Sequence, residues 1–256
     1  MAVTTHPDAA PGAPRPPRRF PMRPTNTPVR RFAVLAVVGL AVVVALGAVF
    51  FGAAGPLAVL AGMAFFLAGV LLAVWYLRRH HPHTLLGLAN VVTLFRLALV
   101  STLVIPLVGA TPAPFAIIVI AVISLSLDGV DGRLARRQGL SSHFGGRFDM
   151  EVDSLFALVL ALLAVVVAGA GWAVILLGLP RYLFGIAGLA LPWLNGSLPP
   201  RLSGKIICVV QLSVLIALQL PWFGGVLGAV LAIGIAGALV WSFGRDIVLL
   251  WRIRAS

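Results

Sequence analysis

Cysteine and acidic residues are scarce in this 256-residue chain. The single cysteine, Cys208, excludes an intramolecular disulfide and a thiolate zinc cluster, so a bound metal would need oxygen ligands, which suits Mg²⁺ or Mn²⁺. Seven residues are acidic against nineteen Lys and Arg, and charged residues make up 10% of the chain. With 61% apolar residues and a mean hydropathy of +1.08, the composition excludes a soluble globular domain and predicts a polytopic membrane protein.

Basic residues are plentiful, and their distribution indicates membrane topology rather than nucleic-acid binding. The net charge of +12 comes mainly from arginines that lie between long apolar runs, not on a soluble basic face. By the positive-inside rule these arginine-rich connections are cytoplasmic, and both termini are as well. We therefore predict an integral protein of the plasma (inner) membrane, in contact with membrane lipid and without a nucleic-acid partner, whose active site faces the cytoplasm.

Long apolar stretches predict the fold class, because a spanning helix needs roughly 20 apolar residues. Stretches of this kind cover residues 32–52, 55–77, 91–109, 113–130, 150–169, 172–194, 205–220 and 223–243. We predict an all-α polytopic membrane bundle of about eight transmembrane helices. Residues 1–31 are rich in Pro, Ala and Arg and are predicted to form a disordered basic cytoplasmic tail.

Most of the few acidic residues lie close together, between residues 128 and 153. Asp128 and Asp131 are three residues apart, and Asp149 and Asp153 are four apart, spacings that place each pair on one face of a helix. The two helices should meet as an antiparallel hairpin at the cytoplasmic edge of the bilayer. Converging carboxylates repel one another unless cations neutralise them, so we predict one or two divalent ions, Mg²⁺ or Mn²⁺. Glu151 faces away by helical phase, so we expect it to pair with an arginine or to lie at the membrane interface rather than to bind metal.

Arginines near these acids are candidates for binding phosphate. The segment between the acidic pairs holds Arg133, Arg136 and Arg137, whose guanidinium groups suit phosphate oxygens, although cytoplasmic loops are basic in any case. Arg181 lies within an apolar stretch, where it either binds a phosphate of donor or acceptor or marks a helix broken at Pro180. Arg201 and Lys205 are further candidates for an acceptor phosphate.

The acidic residues belong to a longer pattern. It reads Asp128-x-x-Asp131-Gly132-x-x-Ala135-Arg136, then eight residues, then Gly145-x-x-x-Asp149-x-x-x-Asp153. This pattern resembles the motif of the CDP-alcohol phosphotransferase (CDP-alcohol phosphatidyltransferase) family at every fixed position and with the same spacing. Upstream, Asn90, Thr93 and Arg96 resemble, more weakly, the polar pattern that opens the first core helix in many members.

The resemblance implies a division of the chain and a set of roles. Residues 86–256 would form the six-helix core with a short C-terminal tail, and residues 32–85 two additional transmembrane helices with a connector. Asp128, Asp131, Asp149 and Asp153 would hold the metal, as two ions, and Asp153 would also serve as general base. The nucleotide site would comprise Gly132, Ala135, Arg136, Gly145, Asn90 and Thr93. The family also implies a homodimer.

The predicted function is transfer of a phosphatidyl group from CDP-diacylglycerol to a small alcohol with release of CMP, in phospholipid synthesis. A membrane prenyltransferase is an alternative that also uses a diphosphate and Mg²⁺, but its acidic motifs normally lie far apart, whereas 17 residues separate Asp131 from Asp149 here. A divalent-cation transporter is a second alternative, disfavoured because the acids cluster at one membrane face. The sequence leaves the acceptor alcohol open.

Overall fold

Helices account for all regular secondary structure in the described part of the chain. The computed structural model describes residues 27–80, 87–138, 143–195, 202–223 and 225–255, and these contain no strand. The α-helices are α1 (Thr27–Phe51), α2 (Gly55–His80), α3 (Leu88–Val108), α4 (Pro114–Gln138), α5 (His143–Val166), α6 (Ile175–Gly178), α7 (Pro180–Ala190), α8 (Leu202–Ala217) and α9 (Gly225–Ala255). Every predicted apolar stretch is mainly helical, which confirms the all-α class.

Several described helices are apolar and long enough to cross a membrane. By length and composition the candidates are Val29–Arg78, Leu88–Val108 and Gly225–Arg252, and Trp172–Ala190 qualifies as a bent pair. These helices support an integral membrane protein, while the total of about eight spans stays a prediction. The helix α1 begins at Thr27, inside the segment predicted as a tail, and residues 1–26 lie outside the described residues.

The candidate region Val29–Arg78 contains two helices, α1 and α2, and α2 folds back along α1. Gly39 of α1 lies against the ring of Phe66 in α2, where a Cβ at position 39 would be 2.6 Å from the ring. The turn between the helices passes through Gly55, whose φ of +81° lies in a region that favours glycine. We call this antiparallel pair the N-terminal hairpin.

Helix α3 lies at the centre of the bundle. It packs against α1, α2, α4 and α5, and most of its side chains from Thr93 to Pro106 are buried. Gly62 and Gly69 of α2 bring the N-terminal hairpin close, since a Cβ at either position would press on Ile105 or Leu97 of α3. A helix covered on all sides can carry a charged side chain away from lipid, provided that partners from neighbouring helices reach it.

Two features differ from the straight spans predicted from the sequence. Helix α4 does not end near residue 130 but continues to Gln138, so the first half of the acidic motif lies on helical backbone. The stretch 172–194 is broken, because α6 and α7 meet at an angle of 64°. Pro180 begins α7, and since proline lacks an N–H and its ring crowds the preceding turn, it favours the break at this point.

The short helix α6 depends on a glycine for its contact with α5. A Cβ at Gly178 would lie 2.8 Å from the Cα of Leu158, a backbone atom that cannot move aside. We therefore expect Gly178→Ala to lower stability by about 1–3 kcal/mol through overpacking. The matched control is Gly185→Ala on α7, where nothing lies within 4 Å. Thermal unfolding in detergent tests this, and equal unfolding temperatures for the two variants would contradict the close contact.

Candidate active site

Three of the four motif aspartates come together beside α3, against which α4 and α5 both pack. Carboxylate oxygens of Asp128 on α4 and of Asp149 and Asp153 on α5 all lie within 4.8 Å of one another. Asp131 lies on α4, but its side chain is outside the described residues. We call the three described residues the carboxylate cluster.

The carboxylate cluster surrounds the side chain of Arg96, which projects from α3. Arg96 is fully buried, and its Nη1 lies 3.0 Å from Asp128 Oδ1 and 2.7 Å from Asp149 Oδ1. Its Nη2 donates to Asp153 Oδ1, and its Nε donates to the backbone carbonyl of Ser124 at 3.2 Å. The guanidinium therefore joins α3, α4 and α5 through one planar group with charge-assisted hydrogen bonds.

The charges of this site do not balance within the described residues. Three carboxylates face one guanidinium, so negative charge is in excess, and carboxylates this close repel one another unless further positive charge is present. Their side chains are 17%, 33% and 23% exposed, whereas that of Arg96 is 0% exposed. A ligand can therefore reach the carboxylates from the open side, while Arg96 closes the inner side. Hard oxygen donors with excess negative charge fit a divalent ion such as Mg²⁺ or Mn²⁺.

Arg96 is the main residue of this site that the sequence signalled only weakly. It appeared in the polar pattern of α3 but was not among the predicted site residues. The available signal was physical: an arginine in the middle of an apolar helix needs partners, and acidic side chains are the natural ones. Its partners lie 28 to 57 residues away in the chain, too far for a local pattern to identify them.

The residues predicted to bind the nucleotide fall on the same three helices. Asn90 and Thr93 are buried on α3, and the Thr93 hydroxyl donates to the Ala89 carbonyl at 3.0 Å. Gly145 precedes Asp149 by about one turn of α5. The side chains of Gly132, Ala135 and Arg136 on α4 are outside the described residues. Their roles in nucleotide binding stay predictions.

Of the residues predicted to bind an acceptor phosphate, Arg181 and Lys205 lie within the described structure. Arg181 Nη2 donates to Glu151 Oε1 at 2.6 Å, so Glu151 pairs with an arginine as expected from its helical phase. The two side chains are 37% and 51% exposed, and exposed ion pairs contribute only about 0–1 kcal/mol, so Arg181 can exchange this partner for a ligand. Lys205 is exposed on α8, and Arg201 lies outside the described residues.

Fold and site together define an integral membrane protein with a carboxylate cluster suited to a divalent ion. The comparison with protein families supports this class, since the CDP-alcohol phosphatidyltransferase family matches residues 86–241, more than half of the chain. The chain therefore belongs to the CDP-alcohol phosphatidyltransferase family. A search of curated proteins and a search of solved structures each found no match.

Family membership indicates the class of reaction that the site carries out. It supports a transferase that acts on a CDP-alcohol in a lipid environment, and the family is typically dependent on a divalent metal. The whole acidic motif, from Asp128 to Asp153, lies inside the matched residues, as do Asn90 and Thr93. The match begins at residue 86, so α1 and α2 lie outside it.

Arg96→Gln tests whether the guanidinium acts as the internal counter-ion of the carboxylate cluster. Breaking a buried ion pair typically costs about 3–5 kcal/mol, so the variant should unfold at lower temperature in the presence of a chelator. Mn²⁺ should bind about tenfold more tightly or better, because a positive charge that repels the ion has been removed. Thermal unfolding and electron paramagnetic resonance titration with Mn²⁺ measure the two effects.

Two variants separate charge from general disruption. Arg245→Gln on α9 removes an arginine that donates to Ser203 and lies over the Trp241 ring, so it should leave Mn²⁺ affinity unchanged. Arg96→Lys keeps the charge without the planar fork and should retain affinity near that of the unaltered protein. Unchanged or weaker Mn²⁺ binding by Arg96→Gln would contradict the counter-ion role.

Proposed function

We propose that this protein transfers a phosphatidyl group from CDP-diacylglycerol to a small alcohol and releases CMP, as a step in phospholipid synthesis. The observation that carries the proposal is the convergence of Asp128, Asp149 and Asp153 from the two halves of the motif, beside apolar helices that can lie in a bilayer. Family membership supports the reaction class. It also favours phosphatidyl transfer over the alternatives of prenyl transfer and cation transport.

Phosphoryl transfer asks little covalent chemistry of a protein and depends on positioning and on charge balance. Asp128, Asp131, Asp149 and Asp153 would hold Mg²⁺ or Mn²⁺, which when bound would neutralise diphosphate charge and improve CMP as a leaving group. The chain supplies the rest: Arg96 closes the inner side of the carboxylate cluster as its internal counter-ion, and the polar residues of α3 would orient the nucleotide.

Asp153 is the proposed general base. The acceptor hydroxyl oxygen would form a bond to the phosphorus that carries the diacylglycerol, while the bond from that phosphorus to the CMP oxygen breaks. The hydroxyl proton goes to Asp153, and CMP leaves with the electron pair. A carboxylate offers about four acceptor positions, so the hydrogen bond from Arg96 leaves Asp153 able to accept this proton.

The proposed location follows from the chemistry of the two substrates. A lipid-linked donor can keep its acyl chains in the bilayer while its cytidylyl group reaches the carboxylate cluster, and a water-soluble alcohol arrives from the cytosol. We therefore place the site at the cytoplasmic face of the plasma (inner) membrane, as the arginine flanks indicate. A homodimer is part of the proposal on family grounds.

Asp153→Asn tests the role of general base. Loss of a general base typically costs 10²- to 10⁴-fold in rate, so CMP release from CDP-diacylglycerol should fall by about that factor. Because Asp153 is also a proposed metal ligand, the rate is measured at Mn²⁺ concentrations that saturate the variant, and binding of donor lipid should be largely retained. Radiolabelled donor in detergent micelles with a panel of alcohols provides the assay.

The matched control is Glu151→Gln, which removes a carboxylate from the same helix but outside the carboxylate cluster. It should release CMP at close to the normal rate. Equal rates for Asp153→Asn and the unaltered protein would remove the general-base role, and metal flux into proteoliposomes without CMP release would favour transport.

Arg181→Ala tests the acceptor-phosphate role. Hydrogen bonds to charged groups contribute about 1.5–3 kcal/mol, so KM for a phosphorylated acceptor should rise by about 10- to 100-fold. The KM for CDP-diacylglycerol should not change. Product identification by mass spectrometry across serine, glycerol phosphate and inositol phosphate supplies the acceptor, and a rise in donor KM alone would contradict this assignment.

A further inference from the structure

The N-terminal hairpin lies outside the family match, yet the end opposite its turn reaches the motif helix α5. An aromatic cluster makes this contact, formed by Phe32 of α1, Tyr76 of α2, and Phe144 and Phe148 of α5. Phe32 meets Phe144 and Phe148 edge-on, with ring centroids 6.5 and 5.9 Å away. Tyr76 stacks on Phe144 at 6.1 Å, and Phe144 stacks on Phe148 at 5.7 Å.

The two phenylalanines of α5 alternate with motif residues. Phe144 directly precedes Gly145, and Phe148 directly precedes Asp149. Residues four apart lie on one helical face, so the phenylalanines form one face of α5 while Gly145 and Asp149 form the adjacent face. Because a helix is rigid over one or two turns, any contact that fixes the first face also fixes the direction of the Asp149 carboxylate.

A polar contact reinforces the aromatic one. Arg147 donates to the Tyr76 hydroxyl at 3.2 Å, and its guanidinium carbon lies 5.4 Å from the centre of the Tyr76 ring. The first two turns of α5 are thus attached to α2 by a ring stack, a hydrogen bond and a cation–π contact. Phe32 and Phe144 are fully buried, so the aromatic contact also contributes apolar burial.

We propose that the N-terminal hairpin is a brace that fixes the rotation of α5 and so sets the position of Asp149 within the carboxylate cluster. This inference rests on the proposed function only in what the carboxylate cluster is used for. Phe32 and Tyr76 are positioning residues, which act through Phe144 and Phe148.

The hairpin contains a control residue of the same type. Phe66 is as fully buried as Phe32, but its ring lies against Gly39 and holds α1 to α2. It is ten residues from Tyr76 along α2, about 15 Å at the rise of an α-helix. Phe32→Leu and Phe66→Leu keep apolar volume, so both proteins should fold and should lose similar amounts of thermal stability.

Hydrogen exchange distinguishes the two variants. With Phe32→Leu, backbone amides in the first turns of α5, from Phe144 to Asp153, should exchange faster, whereas Phe66→Leu should leave them unchanged. Mn²⁺ affinity should fall by about 10- to 100-fold in Phe32→Leu alone, the usual effect of losing a residue that orients a metal ligand. Tyr76→Phe keeps the ring and should show a smaller change of the same kind.

The brace would be overturned if the α5 amides exchanged at equal rates in Phe32→Leu and Phe66→Leu, whether both rates differ from that of the unaltered protein or neither does. The exchange measurement needs neither metal nor substrate, so its outcome is independent of catalysis. If the protein released no CMP under any condition, the proposed function would be wrong, but the proposed role of the hairpin as a brace would still stand. Retained Mn²⁺ affinity in Phe32→Leu despite faster exchange would show that the hairpin does not position the cluster, and would also overturn the proposal.

Discussion

The contact between one buried arginine and three carboxylates organises this structure. Arg96 brings its positive charge into the middle of the bundle, and the aspartates of α4 and α5 at hydrogen-bond distance make that location tolerable. The same contact gathers acids that would otherwise repel one another. Both halves of the motif are therefore held on a third helix, α3, whose own packing fixes the arginine.

The helices around Arg96 and the carboxylate cluster have different roles. Helices α4 and α5 carry the motif, and α3 supplies the counter-ion and the predicted nucleotide contacts. The N-terminal hairpin covers α3 through close glycine contacts at Gly62 and Gly69 and touches the start of α5 through Phe32 and Tyr76. The bend before Pro180 brings Arg181 to Glu151, next to the cluster along α5 but on another face. A rigid inner side and a more exposed outer side are what a site needs if it must hold ions firmly and exchange alcohols quickly.

Local physics made much of the fold predictable from sequence. In the described residues the apolar stretches of spanning length are mainly helical, because backbone groups in hydrocarbon must bond within their own segment. The spacing of four residues places Asp149 and Asp153 on one face of α5, and their described side chains converge with that of Asp128. A helix broken at Pro180 was one of the alternatives predicted from the sequence, because proline disrupts the helix in which it lies.

The features that escaped prediction depend on contacts between distant segments. Nothing near Arg96 in the chain shows that its partners lie on α4 and α5. Phe32 and Tyr76 gave no signal either, because aromatic residues are common near the ends of membrane helices and their pairing with Phe144 requires the folded bundle. Side-chain roles that cross from helix to helix are thus visible only once the helices are in place.

The central claim is that the carboxylate cluster, gathered on Arg96, carries out a metal-dependent transfer from a cytidylyl-linked lipid. Its most direct test is CMP release by the purified protein in nanodiscs containing CDP-diacylglycerol, with candidate alcohols present and with Mg²⁺ or Mn²⁺ either supplied or chelated. The account predicts CMP and a new phospholipid only when the ion is present. CMP release at the same rate with the ions chelated, or no release with any alcohol, would contradict it.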